Sequence, residues 1–199
     1  MKKFTFVLLF LFLVGQQSFS QVATSANDIK PLKSGEFIPN VSLRTINGDE
    51  VELSKIIINQ RTVLVFYRGG WCPFCTAHLA ALAEAEEQIK NLGFQIIGVS
   101  ADSPEMLKKS IDKKELNYTL LSDSSTEAIQ AFGIAIEAPE RYNKMLLKHS
   151  DNKNSHIIPV PAAYILDTNG RILYDYVNPD FKKRISEEEL ISELKSVLK

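Results

Sequence analysis

The stretch TVLVFYRGGWCPFC, residues 62–75, decides the fold. Residues 62–67 are apolar, β-branched or aromatic without interruption, as in a strand that is covered on both faces. Pro73 suits the first position of a helix, and apolar residues then recur at spacings of three and four as far as Gly93, which ends the helix. A second buried strand, FQIIGV, follows at 94–99. This β-α-β unit predicts two parallel strands of one sheet, joined by a right-handed crossover.

Shorter strands and helices surround this unit. Strands at 41–44 and 51–53 flank Asn47-Gly48, a strong hairpin turn. Further strands are predicted at 119–121, 162–166 and 171–177, and helices at 104 onward, 127–132, 142–147 and 186 onward. The pattern predicts an α/β fold: a central mixed β-sheet flanked by helices, with an N-terminal hairpin and an insertion after the first β-α-β unit.

The N-terminus has the pattern of an export signal. Two lysines precede an apolar run from Phe4 to Val14, and Ser18-Phe19-Ser20 places small residues where a signal peptidase cleaves. We therefore predict a signal peptide over 1–20, a flexible lead-in over 21–33, and one domain over 34–199. The protein is expected to be exported, and periplasmic if its source is a Gram-negative bacterium, with no membrane association after cleavage.

Charge and cysteine content narrow the function. The 199 residues carry 23 basic and 24 acidic side chains, a net charge of −1, so no strong field attracts nucleic acid or an anionic membrane. Only two cysteines occur, three positions apart. A disulfide that closes so short a loop stabilises a domain by roughly 2 kcal/mol. The pair is therefore expected to react rather than to brace the fold.

The two cysteines lie where a strand passes into a helix. The unpaired N–H groups and the dipole of a helix N-terminus favour negative charge, which lowers the pKa of a cysteine placed there. Cys72 is the candidate nucleophile, expected to be exposed, and Cys75, one turn further on, is the candidate resolving residue. Arg68 is expected to add positive charge near the thiolate, and Trp71 to provide an apolar wall for a partner.

The segment FYRGGWCPFC resembles the active-site segment of the AhpC/TSA, peroxiredoxin-like branch of the thioredoxin-fold superfamily. Four further segments carry the same resemblance, at 35–43, 99–102, 120–123 and 161–170. The resemblance implies a thioredoxin-like three-layer sandwich. It also implies a cis proline that opens a late strand and lies against the reactive pair, with Pro161 at the matching position and Pro159 as the competitor in register.

This sequence departs from the peroxiredoxin motif Pro-x-x-x-Thr/Ser-x-x-Cys. In the aligned register, the proline of the motif falls on Arg68, its hydroxyl residue on Cys72 and its attacking cysteine on Cys75. The supporting arginine of that family falls near Pro161. We interpret the chain as a peroxiredoxin-like scaffold that carries thioredoxin-style dithiol chemistry.

The predicted activity is therefore dithiol/disulfide exchange through Cys72 and Cys75. The alternative is a thiol peroxidase that uses the same pair, with Cys75 as a possible peroxidatic residue. Partners would be a disulfide or peroxide substrate, on a protein or a small molecule, and a protein thiol reductant; no cofactor is expected.

A copper-binding chaperone is the lesser alternative, and a metal would need His78 or the distant His149 or His156 besides the cysteines. The favoured interpretation has no metal site and treats His78 as an ordinary helix residue. The basic cluster at 182–184 is expected to be a solvated turn.

Overall fold

The computed structural model describes residues 22–114 and 116–199. The strands found in them are β1 Ser42–Arg44, β2 Glu50–Glu52, β3 Arg61–Phe66, β4 Phe94–Ser100, β5 Thr119–Ser122, β6 Ala135–Glu137, β7 Ile157–Pro159, β8 Ala162–Leu166 and β9 Ile172–Val177. The helices are α1 Leu53–Ile57, α2 Pro73–Glu84, α3 Glu86–Asn91, α4 Pro104–Lys114, α5 Glu127–Ala131, α6 Asn143–His149 and α7 Glu187–Ser196. A 3₁₀ turn, Glu140–Tyr142, precedes α6.

Seven of these strands form one mixed sheet in the order β2-β1-β5-β4-β3-β8-β9. Strands β3, β4 and β5 run parallel, while β8 pairs antiparallel with β3 and β9 antiparallel with β8. The predicted mixed sheet, its parallel β-α-β unit and the N-terminal hairpin are confirmed, and the predicted strands at 162–166 and 171–177 form a second hairpin. The strand that leads into the cysteine motif, β3, is paired on both sides.

Each face of the sheet carries its own hydrophobic core. Alternate side chains of β3 enter opposite cores: Leu64 and Phe66 pack with one cluster, and Val63 and Val65 with the other. Both cysteines belong to the second cluster, beneath α2. The three-layer arrangement of helices, sheet and helices is therefore confirmed, because a strand with apolar residues on both faces must be covered twice.

The inserted segment between β5 and β8 contains more structure than its sequence predicts. Strands β6 and β7 pair with each other in a separate two-stranded sheet. The sequence predicts neither strand, since three residues are too few to show an alternating pattern and no short turn such as Asn47-Gly48 joins the two. The 3₁₀ turn and α6 confirm the helical turn expected over 142–147.

Residues 22–33, predicted to be a flexible lead-in, form backbone hydrogen bonds with a later part of the chain. Ala23 N–H donates to the Ala135 carbonyl (3.0 Å), and the Ala23 carbonyl accepts from Glu137 N–H (2.9 Å). Lys30 and Leu32 donate in the same way to the carbonyls of residues 133 and 132. Ala23 therefore pairs with β6, and Lys30 and Leu32 pair with the two residues at the end of α5 that precede it, although the polar composition of the lead-in resembles that of a mobile segment. The predicted signal peptide lies outside the described residues, among which no helix is long and apolar enough to cross a bilayer.

Candidate active site

A tight loop, residues 68–72, joins β3 to α2 at the carboxyl end of the parallel strands. Gly69 has φ +137°, and a Cβ atom built on it would collide with the indole of Trp71, at 2.7 Å from its Cδ1. Cys72 N–H donates to the Gly69 carbonyl at 3.1 Å and closes the turn. Only a residue without a side chain fits at position 69, which explains the first glycine of the Gly-Gly pair.

The buried carboxylate of Asp102, just after the neighbouring strand β4, holds this loop in place. Its Oδ2 accepts a hydrogen bond from Gly70 N–H at 2.6 Å, and its Oδ1 lies 3.3 Å from His149 Nδ1. Asp102 follows the end of β4, which runs parallel to β3, so both reach the same edge of the sheet. The sequence contains one signal for this contact, since Asp102 closes one of the segments that carry the family resemblance.

The two cysteines occupy the first turn of α2. Cys72 is its N-cap, with extended backbone, and Pro73 takes the first helical position as predicted. The Cys72 carbonyl accepts from the N–H groups of Cys75 (3.1 Å) and Thr76 (3.0 Å). Both residues are free thiols, with 2% of Cys72 and 0% of Cys75 exposed. The expectation that Cys72 is exposed is therefore wrong.

The surroundings separate the pKa values of the two thiols. A hydrogen bond from the Cys75 thiol is the largest of the effects that lower the pKa of Cys72 to about 6, and the charges of Arg68 and Arg184 act in the same direction. The same hydrogen bond, followed by burial, raises the pKa of Cys75 far above its ordinary value. At neutral pH Cys72 is thus a thiolate and Cys75 a thiol, as the proposed roles require.

The guanidinium of Arg68 contacts three aromatic rings. Its guanidinium carbon is 4.5 Å from the centroid of Phe181, 5.3 Å from that of Trp71 and 5.6 Å from that of Tyr142. The residue is only 6% exposed. The structure therefore brings Arg68 and Trp71 together beside the cysteines. The two other rings come from the inserted segment and from the chain between β9 and α7, which sequence reasoning did not connect with the site.

The sequence did not indicate that Arg184 belongs to the site. Its Nη2 lies 3.6 Å from Cys75 Sγ, and its Nη1 donates to the carbonyls of Phe181 and Lys183. The expectation of a solvated turn at 182–184 is wrong for this residue, which is partly buried, whereas Lys182 and Lys183 are exposed. A run of basic residues does not reveal which of them turns inward.

Pro161 directly precedes β8, whose first residue pairs with Phe66 at the end of β3. It is buried and lies at the same sheet edge as the cysteine loop. The described residues contain no cis peptide bond, so the expectation of a cis Pro161 is wrong. Val160 N–H donates to the Ile134 carbonyl at 2.8 Å, so the chain between β7 and β8 stays tied to the inserted segment.

The histidines do not assemble a metal site with the cysteines. His149 faces Asp102, and His156 Nδ1 is 3.0 Å from the Ser155 hydroxyl. Burial, with a contribution from the charge of Arg184, lowers the pKa of His78 to about 4. Across residues 22–114 and 116–199, no group of three or more His, Cys, Asp or Glu side chains could hold a metal ion.

A cavity of about 370 Å³ opens on the other side of the loop. Its walls include Gly70, Trp71, Pro73, Met106 and His149. Neither cysteine lines it. The cavity therefore lies beside the reactive pair without opening onto the sulfurs.

A thiolate at a helix N-terminus, a protonated thiol one turn away and a thioredoxin-like sheet together define a thiol-dependent oxidoreductase. Residues 34–175 match the model of the AhpC/TSA family. The chain belongs to that family.

Relatives with assigned names support this class. The chain is 28% identical to Peroxiredoxin Bcp of Escherichia coli K12 over 167 residues, which is 84% of this chain and 98% of that protein. It is 29% identical to the chloroplastic Peroxiredoxin Q of Oryza sativa subsp. japonica over 147 residues, 74% of this chain and 60% of that one. Both are named as peroxiredoxins.

Solved structures show the same fold. Reduced Prx3 from Vibrio vulnificus superposes with a TM-score of 0.70 over 82% of this chain and 99% of that one, at 18% identity. PrxQ from Xylella fastidiosa, solved as a cysteine-to-serine mutant, gives 0.68 over 85% and 99%, at 19% identity. The thioredoxin-like fold is thereby confirmed.

Proposed function

We propose that this protein is an exported thiol peroxidase in which Cys72 attacks the peroxide and Cys75 resolves the product. The observation that carries the proposal is the pair itself: the pKa of Cys72 is lowered to about 6 while that of its hydrogen-bonded neighbour Cys75 is raised. Only the thiolate form of a cysteine attacks a peroxide. Membership of a family whose named relatives are peroxiredoxins supports peroxide as the oxidant.

The reaction balances with these two residues and one external reductant. The Cys72 thiolate attacks one oxygen of the O–O bond, giving a sulfenic acid and releasing the other oxygen as an alcohol or water after it takes up a proton. The Cys75 sulfur then attacks the Cys72 sulfur, forms the Cys72–Cys75 disulfide and releases water. A protein dithiol returns two electrons by thiol–disulfide exchange and is itself oxidised.

Burial of the sulfurs favours a small oxidant. Cys72 is only 2% exposed. A peroxide can reach a sulfur through a narrow opening, whereas a disulfide on a protein surface requires more of the Cys72 sulfur to be accessible. Reduction of the Cys72–Cys75 disulfide by a protein thiol would therefore require Phe181 or the loop to move.

Dithiol/disulfide exchange with client proteins is the second candidate. It is favoured by the residues that replace the peroxide-handling groups of the family: Arg68 for proline, Cys72 for the hydroxyl residue and Pro161 near the arginine position. In this alternative a client disulfide takes the place of the peroxide, and the same two sulfurs carry the reaction.

Single-cysteine variants test the assignment of roles. Reduced Cys75→Ser should be oxidised by hydrogen peroxide to a stable sulfenic acid on Cys72, which a dimedone reagent traps and mass spectrometry locates. Reduced Cys72→Ser should react at least about tenfold more slowly, because the remaining thiol is protonated. The opposite order would make Cys75 peroxidatic, with the new serine restoring the hydroxyl of the family motif.

Substrate competition separates peroxidase from exchange activity. The wild-type protein, reduced and then mixed with hydrogen peroxide or with a disulfide-containing protein, should form the Cys72–Cys75 disulfide faster with the peroxide. Faster oxidation by the protein disulfide would reject the peroxidase proposal in favour of exchange.

Export is part of the proposal and rests on the apolar run over residues 4–14 and the small residues at 18–20. Expression of the full chain in a Gram-negative host should yield a mature protein that begins at Gln21 and is released by osmotic shock. A full-length chain that starts at Met1 and remains in the cytoplasm would contradict it.

A further inference from the structure

We infer that His149 is a positioning residue for the reaction of Cys72. It acts through the carboxylate of Asp102, which holds the backbone of Gly70. This inference rests on the proposed function and adds a residue from the inserted segment, far along the chain from the cysteine motif. It depends on a series of contacts that runs from the end of α6, past the end of β4, to the turn before Cys72.

One peptide group of this turn links Asp102 to Cys72. The carbonyl of Gly69 and the N–H of Gly70 belong to the same peptide unit. The N–H donates to Asp102 Oδ2 at 2.6 Å, and the carbonyl accepts from Cys72 N–H at 3.1 Å. A hydrogen bond to an ionised acceptor is about twice as strong as one between neutral groups. Because a peptide unit is planar, any rotation of the N–H also moves the carbonyl and, with it, the N-cap cysteine.

His149 restrains the carboxylate from its other side. The ring Nδ1 lies 3.3 Å from Asp102 Oδ1, and the backbone carbonyl of His149 accepts from Ser103 N–H at 2.7 Å. One histidine thus contacts two consecutive residues after β4. The distance to Oδ1 is slightly longer than that of an ordinary N–H···O hydrogen bond, and the buried Nδ1 has no other hydrogen-bond partner in the part of the chain that the structure describes.

The carboxylate of Asp102 depends on this imidazole. No other basic side chain of the described residues contacts it, since Lys109, which lines the same cavity, pairs with Glu105 on the surface of α4. Only 2% of the Asp102 side chain is exposed. A buried carboxylate is stable only beside proton donors or positive charge. Loss of the imidazole would leave it with a single donor, the N–H of Gly70.

The cavity of about 370 Å³ gives the carboxylate room to turn, because both Asp102 and His149 line it. A close-packed side chain keeps its rotamer when a neighbour is removed, whereas a side chain beside open space can rotate away. On the side of α4 the loop has no such room, since a Cβ on Gly70 would collide with Ser110 Oγ. The imidazole, rather than packing, therefore fixes the direction of Asp102.

The pH dependence of Cys72 alkylation by iodoacetamide tests the inference, because the midpoint reports the thiolate pKa and the plateau reports access to the sulfur. In His149→Ala the midpoint should rise by about one pH unit toward the value of an ordinary thiol, about 8.5, since Cys72 loses its fixed place beside the Cys75 donor. The plateau rate should stay within about twofold, because the nucleophile is still the same thiolate.

His149→Asn is the rescue variant. Its amide nitrogen is a donor close to the position of Nδ1 and should keep the midpoint within about 0.3 pH unit of the wild type. His156→Ala is the matched control, since that histidine of the same segment is exposed and contacts the Ser155 hydroxyl. An unchanged midpoint in His149→Ala, an equal shift in His156→Ala or a failure of His149→Asn to restore the midpoint would each overturn the inference.

A double-variant cycle tests the route through Asp102. Asp102→Ala should raise the midpoint at least as far as His149→Ala, and adding His149→Ala to it should change the midpoint by less than about 0.3 pH unit. If Asp102→Ala fails to fold, Asp102→Asn supplies the background, because it keeps an acceptor for Gly70 N–H without the negative charge. In that background His149→Ala should have less than about half of its wild-type effect. Additive shifts would show that His149 acts by another route.

The alkylation assay uses no peroxide, so the inference and the proposed function fail separately. Fast oxidation by hydrogen peroxide together with an unchanged midpoint in His149→Ala would overturn the positioning role alone. Slow oxidation by every peroxide together with the expected shifts would instead reject the peroxidase activity and support the positioning role.

Discussion

At the scale of single residues, the chemistry depends on the opposite pKa shifts of Cys72 and Cys75. The Cys75 thiol donates to the Cys72 sulfur, and this hydrogen bond is the largest influence on both pKa values. The cysteine one turn into the helix therefore activates its neighbour before it resolves the oxidised product.

The rate of Cys72 alkylation by iodoacetamide should rise with pH and reach half its plateau near pH 6, because the pKa of the thiol is lowered to about 6. Cys75→Ala should move the midpoint upward, since the hydrogen bond is lost. Cys75→Ser serves as the control, because its hydroxyl still donates and should preserve most of the shift. A wild-type midpoint near about 8.5, the value of an ordinary thiol, would contradict the assignment.

Gly69→Ala should slow oxidation by peroxide severalfold, because a Cβ there would lie 2.7 Å from Trp71 Cδ1 and 2.9 Å from Asp102 Oδ1. Gly93→Ala is the matched control. Gly93 also has a positive φ, of +88°, but a Cβ on it meets nothing within 4 Å. Gly93→Ala should lower the free energy of unfolding by about 1 kcal/mol, Gly69→Ala should lower it further because of the clash, and only Gly69→Ala should lose activity under conditions where both variants are folded. Equal activity in the two variants would show that the loop tolerates displacement.

Local patterns at residues 68–75 led from the sequence to part of the site. The motif identified Cys72, Cys75, Arg68 and Trp71, which the structure places together. Arg184 lies 109 positions from Cys75 along the chain, and nothing in its neighbourhood distinguishes it from Lys182 and Lys183. Contacts of this kind depend on how distant segments pack, which local pattern does not encode.

At the scale of elements, α7 sets the position of the segment that contributes Arg184. The helix begins at a cap predicted from the sequence: the Ser186 hydroxyl accepts from Glu189 N–H at 3.1 Å. Three glutamates in the first turn interact favourably with the positive end of the helix dipole. The start of α7 is thereby fixed two residues after Arg184.

Ser186→Ala should lower the free energy of unfolding by about 1 kcal/mol, the usual cost of losing an N-cap. Ser196→Ala, which changes an exposed serine at the far end of the same helix, is the control and should change it by less than about 0.5 kcal/mol. Urea denaturation followed by circular dichroism measures both. Equal losses in the two variants would mean that the cap hydrogen bond contributes nothing.

Elements could be predicted where a long apolar run or a characteristic turn marks them. The strands β3 and β4, of six and seven residues, are mostly apolar, and the turn at Asn47-Gly48 marks the short strands β1 and β2. The three-residue strands β6 and β7 were not predicted, because their pairing depends on the lead-in and the inserted segment meeting in space.

At the scale of the whole molecule, the sheet separates two hydrophobic cores. The titration of His78, in the helix α2, is expected to affect the free energy of unfolding of the whole domain. His78 is partly buried in α2, and burial lowers its pKa from 6.5 to about 4. As the pH falls, His78 therefore binds a proton near pH 6.5 in the unfolded chain but only near pH 4 in the folded chain. Stability contributed by neutral His78 is present above pH 6.5 and is lost as the pH falls through this window.

His78→Leu should make the free energy of unfolding depend less on pH between pH 6.5 and pH 4. Between pH 6.5 and pH 4 the wild type should lose up to about 3 kcal/mol more than the variant, measured by urea unfolding at each pH. His156→Gln is the control, since that histidine is exposed, and it should follow the wild type. An unchanged slope in His78→Leu would show that the imidazole is charged in the folded protein.

The overall architecture could be predicted because the family resemblance extends along most of the domain. The family match starts at residue 34, yet Ala23, Lys30 and Leu32 also form hydrogen bonds with β6 and the residues just before it. That docking could not be predicted, since its backbone hydrogen bonds require no particular side chains.

The chain contains a single tryptophan, and Trp71 is stacked on Tyr142 with ring centroids 5.5 Å apart, next to the N-cap cysteine. All tryptophan fluorescence of this protein therefore comes from Trp71, which lies close to the Arg68 guanidinium and to the two cysteines. Unlabelled protein in a stopped-flow instrument should accordingly report each chemical step as a separate change in intensity, without a dye or a coupled assay.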